Sequence, residues 1–297
     1  MGRPATVVAD GGESGMDSGH NVPIVGFRPR ALTSSRTKTP LKLGAYAQMP
    51  AARMMAATTD TAHAGLRREA PAPSRGSDRV SLDEELARVL PVIERLRAET
   101  SAVISIDTYK AEVARRALAA GAALVNDVSA LRLDPAMVEV VAETGAPAIL
   151  MHMQGEPKTM QQDPHYDDVV DDVRAFLDER MGFALARGVD EEQLVIDPGI
   201  GFGKTVAHNL VLLRGLGRLK ELGRPLVLGA SRKRFLGAIL GAEPGGRLIG
   251  TVASTVIGLM NGADVVRVHD VRENFEALRV VLALREADDE AGPGARR

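Results

Sequence analysis

The strongest constraint on this chain is an alternation. From Ser81 onward, short β-branched apolar runs take turns with helical stretches. The runs are residues 102–106, 123–128, 146–151, 194–196, 226–229 and 264–268. Strands alternating with helices specify a parallel sheet, because a parallel pair needs a crossover long enough to hold a helix. The first helix is marked by Ser81 and Glu84, a Ser-x-x-Glu capping box, ahead of Leu86, Val89, Leu90, Ile93 and Leu96 at helical spacing. Asp134-Pro135 opens a later helix that Gly145 closes, and Gly188 follows the long stretch 167–187.

The runs end in polar residues: Asp107-Thr108, Asn126-Asp127, His152-Met153-Gln154, Asp197-Pro198-Gly199, Ser231-Arg232-Lys233 and Arg267-Val268-His269-Asp270. Ligands of parallel α/β folds bind over the carboxyl ends of the strands. Six such loops favour a barrel over an open sheet, because one central mouth lets them converge; a (β/α)8 TIM-type barrel, irregular or incomplete at its N-terminal part, is what a family resemblance carried by these loops implies. Six strands leave it two short. Either residues 1–76 supply two, or a partner chain does, or the barrel is open.

Composition narrows the function. Apolar residues at 45% and charged residues at 26% supply a core and a solvated surface. A formal charge of −2 without a polybasic block argues against nucleic-acid and membrane partners, which leaves small molecules. No cysteine is present, so disulfides and thiolate chemistry are excluded. No apolar run is long enough to span a bilayer and no secretory signal stands at the N-terminus, so the expected location is cytoplasmic. Residues 1–76, rich in Gly, Ala, Pro, Arg, Ser and Thr, read as an irregular segment. Residues 77–287 read as the barrel domain, and 288–297 as a frayed tail. Within the first segment, 21–27 and 42–46 fit a strand or an extended loop, and the loop is expected.

Each strand-end residue has a structural alternative. Asp107 fits a helix N-cap, and Asn126 a hydrogen bond to a neighbouring strand. Surface solvation is the plain reading of Ser231-Arg232-Lys233, against anion binding where a strand meets a helix. Asp197 precedes Pro198-Gly199-Ile200-Gly201-Phe202-Gly203-Lys204, a glycine-rich turn through which backbone can approach a ligand. The turn fails the P-loop pattern at Pro198 and the dinucleotide pattern at Lys204. No histidine pairing suggests zinc. Arg267 and His269 share a strand face opposite the valines, and with Lys233 they suit a diphosphate. Two carboxylates and an amide beside these groups suit a ligand with an amidine-like donor edge and a phosphate leaving group, such as a pterin diphosphate.

The chain resembles the dihydropteroate synthases through seven ordered motifs: Ser105-Ile106-Asp107-Thr108, Val125-Asn126-Asp127-Val128, Leu150-Met151-His152-Met153-Gln154-Gly155, Pro157-Lys158-Thr159-Met160-Gln161, the Asp197–Lys204 turn, Gly229-Ala230-Ser231-Arg232-Lys233 and Arg267-Val268-His269-Asp270. The resemblance implies condensation of a (7,8-dihydropterin-6-yl)methyl diphosphate with p-aminobenzoate, Mg²⁺ neutralising the departing charge. It implies that Asp107, Asn126, Asp197 and Lys233 contact the pterin, that Met153 and Phe202 line its pocket, and that Gly229 belongs to the substrate site. It implies Ser231 near p-aminobenzoate, and Lys233, Arg267 and His269 as the catalytic groups, Arg267 and His269 on the diphosphate. The metal ligand is not identified. A homodimer is a further expectation, and the apolar helix 248–260 fits either the core or an interface, the core being expected.

The family's Asn-x-Thr-Pro-Asp-Ser-Phe and Gly-Gly-Glu-Ser-Thr-Arg-Pro-Gly loops do not occur intact; Asp10-Gly11-Gly12-Glu13-Ser14, Asn21-Val22-Pro23 and Ser74-Arg75-Gly76-Ser77 echo only pieces of them. A shifted reading frame or misplaced start upstream of Ser77 is one hypothesis for this, tested by the gene's other frames. Other functional readings stay open: a catalytically weak pterin-binding paralogue, a pterin-dependent methyltransferase domain, or a truncated inactive product. The methyltransferase reading is disfavoured by the Ser231-Arg232-Lys233 and Arg267-Val268-His269 set.

Overall fold

The computed structural model describes residues 7–10, 24–25, 80–155 and 160–291. In chain order its elements are β1 (Val7–Asp10), β2 (Ile24–Val25), α1 (Leu82–Glu99), β3 (Ile104–Asp107), α2 (Ala111–Ala120), β4 (Leu124–Asp127), α3 (Met137–Thr144), β5 (Ala148–Met151) and α4 (Val169–Ala186). There follow β6 (Leu194–Asp197), α5 (Val206–Arg214), α6 (Leu216–Lys220), β7 (Val227–Leu228), α7 (Arg234–Leu240), α8 (Leu248–Met260), β8 (Val265–Arg267) and α9 (Val271–Ala291).

Strands β1-β3-β4-β5-β6 make one sheet and β2-β8-β7 another. A parallel bridge between Ile196 and Leu226 joins β6 to β7, and β1 lies beside β2. The strands therefore run round a ring, the architecture of a (β/α)8 barrel. Of the three possibilities, the first is met in part: β1 and β2 both come from the stretch read as irregular, but they belong to different sheets and no hydrogen-bonded pairing joins them among the described residues, so the N-terminal part of the barrel is irregular as expected. Segment 21–27 holds β2, against the loop expectation. Strand β1 has no counterpart in the sequence reading, because Val7-Val8 is one apolar pair with no period on either side. Segment 42–46 and the echoes at 11–14, 21–23 and 74–77 lie outside the described residues. The all-parallel expectation also fails once: Ile24 pairs antiparallel with Arg267 and Val25 with Val266. The two strands come from opposite ends of the chain, so no crossover helix links them and the rule that orients the other pairs does not act.

The period of two along each strand sorts the core. Ile104, Ile106, Val125, Leu150, Ile196, Leu228 and Val266 pack outward under the helices in the main core. Ile149, Val195 and Val227, with Leu124 and Val265, form a separate apolar plug. Two residues further along the same faces stand Asn126, Met151, Asp197, Gly229 and Arg267. The polar site therefore lies one side-chain layer above a dry floor.

Local chemistry fixes the helix ends. Ser81 Oγ accepts the Glu84 amide at 3.2 Å, but Glu84 pairs with Arg88 one turn on rather than reaching back, so only half of the expected capping box forms. Buried Glu85 binds Thr108 Oγ1 and Lys110 Nζ, each at 2.6 Å, which ties α1 to the end of β3. Asp134 takes the Ala111 amide at 2.7 Å and the Ala136 amide at 3.0 Å, so it serves α2 as well as the approach to α3. Helix α9 continues through Ala291, because residues 285–291 contain no breaker before Gly292-Pro293; it runs past Asp288, where the tail was expected to begin.

Helix α8 meets the core expectation on one side only, where Leu259 joins the main core and Val256 packs against it. Its inward face is Thr251, Ser254, Thr255, Gly258 and Leu259, while Ile249, Ile257 and Met260 are 76%, 49% and 52% exposed. Small residues face β7 because there is no room for more: a Cβ on Gly258 would lie 2.1 Å from Leu228 Cδ2.

Candidate active site

The ends of β3, β4, β6 and β8 bring Asp107, Asn126, Asp197 and Arg267 together. Asp197 is 1% exposed. One of its oxygens accepts the Gly199 amide at 2.8 Å, and the other receives Arg267 Nη2 at 3.2 Å. Arg267 Nη1 is buried without a partner. Gly229 makes the space: a Cβ there would come within 3.0 Å of Arg267 Nη2. Asp107 stands opposite Asn126 in the β3–β4 register. Burial pushes its carboxyl above the usual carboxylate range, against the pull of Arg267. The N-cap reading of Asp107 fails, since Asp134 and not Asp107 serves α2.

Asn126 is fully buried, and neither its Nδ2 nor its Oδ1 finds a hydrogen-bond partner. The expected bond to a neighbouring strand survives only as an interaction with the Asp107 carboxyl of β3, whose pKa it helps to hold down, and not as a hydrogen bond of ordinary geometry. An orphaned buried donor or acceptor costs about 1–3 kcal/mol, so an amide with both unmet, beside an unmet guanidinium nitrogen, is matched to a ligand that supplies the partners. Two carboxyl groups and an amide can accept hydrogens from a flat nitrogen heterocycle, and the unmet edge of the guanidinium can receive an anion.

The turn after β6 forms the second wall. Lys233 Nζ donates to the Ile200 carbonyl and lies 4.6 Å over the Phe202 ring. Burial lowers the Lys233 pKa to about 7. Met151, Met153 and Met160 pack together, with Val128 and Phe202 against them, which gives an apolar face. Ser231 Oγ accepts the His269 amide at 3.1 Å and lies 2.8 Å from His269 Nδ1. Arg232 is bound by Asp270, its Nε 3.0 Å from Oδ2, so within the Ser231-Arg232-Lys233 cluster it is a structural cation.

Sequence reasoning passes over the supports of this wall. By sequence Lys204 breaks a nucleotide motif and closes a glycine turn, with no role assigned to it, yet its buried Nζ lies 2.8 Å from His152 Nδ1 and 3.0 Å from the carbonyls of Gly199 and Phe202. Tyr166 Oη donates to the Gly203 carbonyl at 2.7 Å, and Gln161 to that of Gly201. Arg132 reaches the Met153 carbonyl at 3.0 Å. The only sequence signal for Lys204 is its place at the end of a glycine turn. Among the described residues no group of three His, Asp or Glu side chains is arranged to hold a metal.

The profile of the family described as "Pterin binding enzyme" matches residues 70–269. The dihydropteroate synthase of Escherichia coli is 44% identical over 214 residues, 72% of this chain and 76% of the relative. That of Synechocystis is 47% identical over 210 residues, 70% and 73%. Among solved structures, the Yersinia pestis dihydropteroate synthase in a sulfonamide complex superposes with a TM-score of 0.69 at 45% identity, covering 70% of this chain and 76% of that one. The Xanthomonas albilineans enzyme in complex with 7,8-dihydropteroate gives a TM-score of 0.66 at 48% identity, covering 69% and 76%. The profile match begins ahead of α1, ends at His269 and takes in the ends of β3 to β8, so the chain belongs to the pterin-binding enzyme family.

Proposed function

We propose that the protein catalyses the dihydropteroate synthase reaction, joining (7,8-dihydropterin-6-yl)methyl diphosphate to p-aminobenzoate. The observation that carries this reading is the buried convergence of Asp107, Asn126 and Asp197 at the strand ends beside the unmet Nη1 of Arg267. The pterin's exocyclic amine and ring N–H donate to the two carboxyl groups, and its remaining edge atoms meet Asn126. Met153 and Phe202 cover the ring faces. In the reaction the arylamine nitrogen bonds to the pterin methylene carbon, the carbon–oxygen bond breaks, and diphosphate leaves with the electron pair. The amine's proton passes to solvent. Lys233, His269 and the unmet Nη1 of Arg267 stabilise charge growing on the diphosphate, while Arg267 Nη2 keeps hold of Asp197. Ser231 lies on the p-aminobenzoate side.

The described residues present no metal cage, so no step is derived through Mg²⁺. A magnesium requirement is proposed as a property of the diphosphate, whose oxygens and water are ligands Mg²⁺ accepts. No helix among the described residues is long and apolar enough to cross a membrane. A cytoplasmic site of action is part of the proposal, supported by charged, water-soluble substrates. A homodimer is proposed as well, supported by the outward apolar face of α8 beside exposed Val280 and Leu284 of α9.

The test is dihydropteroate formation from both substrates with Mg²⁺, alongside Asp197→Ala and alongside chelator. Product that disappears in the variant supports the reading. Pterin binding without product would move the protein to a non-condensing pterin binder.

A further inference from the structure

We infer that Lys204 is a positioning residue for the pterin pocket: its ammonium, held by three acceptors, fixes the turn that presents Phe202 and the Ile200 carbonyl to Lys233. The inference rests on the proposed pterin site for its functional part, and on geometry for the rest.

A lysine ammonium has three N–H donors. Lys204 is 4% exposed, and its neighbours His152 Nδ1, Gly199 O and Phe202 O lie at 2.8, 3.0 and 3.0 Å from Nζ. Every donor is therefore matched. Burial and the Lys233 charge press the Lys204 pKa well below the ordinary lysine value, and the Asp197 carboxylate opposes them. No carboxylate among the described residues forms a direct ion pair with it, so the groups that hold the nitrogen in place are these three neighbours, two of them from the turn itself. With Lys204 donating, Nδ1 of His152 is the acceptor of a neutral ring whose proton is on Nε2. Burial and the nearby Lys204 push the His152 pKa down to about 2, in accord with that assignment.

The same strand end braces the turn twice more. The His152 amide donates to the Asp197 carbonyl at 3.0 Å, and a Cβ on Gly199 would lie 1.8 Å from the His152 carbonyl oxygen, so that backbone contact tolerates glycine alone. The turn closes on itself where the Phe202 amide meets the Gly199 carbonyl at 3.0 Å. Lys204 thus binds both carbonyls at the mouth of this inner turn and anchors them to β5. What the turn offers outward is Phe202 under the Lys233 ammonium and Ile200 O as its acceptor. Loss of the Lys204 nitrogen frees both supports of Lys233 together.

Lys204→Met is nearly isosteric and removes the donors. It is expected to raise the Kd for the pterin diphosphate about tenfold, the scale of one lost charged hydrogen bond, while the KM for p-aminobenzoate stays near its wild-type value. Because the effect passes through Lys233, Lys204→Met should add little in a Lys233→Met background; full additivity in that cycle would reduce Lys204 to a general stabilising residue and overturn the inference. If Lys204→Met does not fold, His152→Leu removes one acceptor and should reproduce the loss, whereas His152→Asn, which keeps an oxygen near Nδ1, should restore affinity. Hydrogen exchange of the Gly201 and Phe202 amides in ligand-free protein reads the turn apart from any substrate: faster exchange in Lys204→Met supports the strut, and unchanged exchange overturns it. A wild-type protein that binds no pterin diphosphate would instead overturn the proposed function, and exchange would still decide the strut.

Discussion

Lys233 shows how one residue's surroundings determine what it can do. Burial lowers its pKa to about 7, Asp197 and Asp107 pull it back up, and Arg267 pushes it down. In the empty site the side chain is therefore near half charged at neutral pH. An anionic ligand favours the ammonium, so the bound-state pKa lies above the free one. Between the two, binding takes up a proton and affinity falls as pH rises, at a limit of about tenfold per pH unit. The Kd for the pterin diphosphate, measured from pH 6 to 9, is expected to weaken above about pH 7, and Lys233→Arg should flatten the profile because arginine stays charged. A wild-type profile as flat as the variant's would show that Lys233 does not carry the anion. The identity of such residues was legible from their motifs; their condition was not. Nothing in Gly229 as a letter shows that it clears the Arg267 guanidinium, and the orphaned state of Asn126 exists only once β3 and β4 are in register.

Among the elements, the loop between β4 and α3 is stabilised by a carboxyl group that reasoning from sequence passes over as the second half of Asn126-Asp127. Asp127 is fully buried and accepts the Ser129 amide and hydroxyl at 2.7 Å each and the Leu131 amide at 2.9 Å. These bonds hold Ala130 and Leu131 at φ of 52° and 64°, a left-handed conformation that side chains resist. Burial outweighs the bonds and raises the Asp127 pKa to about 6. The sign follows: a carboxyl with a raised folded pKa contributes stability that is fully present below its unfolded value near 3.8 and is lost as pH rises through 6. A rise of that size in a carboxyl pKa corresponds to about 3 kcal/mol. In urea unfolding, the stability advantage of wild type over Asp127→Asn should shrink by about that amount between pH 4 and pH 7. An advantage independent of pH would mean that Asp127 is not protonated in the fold. Strand positions were readable because their apolar runs and breakers are local. The cap on α2 was not, since its acceptor Asp134 lies a whole βα unit away.

For the whole molecule, alternation predicted the barrel, and the deviations come where no periodic signal exists: β1, β2 and the antiparallel closure against β8. Helix α8 misleads for a related reason. An apolar circumference says only that a helix avoids water on most sides, not which neighbour covers which side. The fold covers the side made of Thr251, Ser254, Thr255 and Gly258, where close approach to β7 demands small residues. The bulky side, Ile249, Ile257 and Met260, turns outward beside Val280 and Leu284 of α9, which are 71% and 52% exposed. Large contiguous apolar surface on a soluble protein marks an interface, and two packed helices presenting the same face in each copy make a self-complementary two-fold contact. Ile257→Glu combined with Val280→Glu places charge in the middle of that contact while touching no group of the site. Sedimentation equilibrium should give a dimer for wild type and a monomer for the double variant, with pterin affinity changed by less than about threefold because the substitutions sit on the far side of α8 and α9. A wild-type monomer, or a double variant that still dimerises, would assign the exposed face of α8 and α9 to something other than a second copy of this chain.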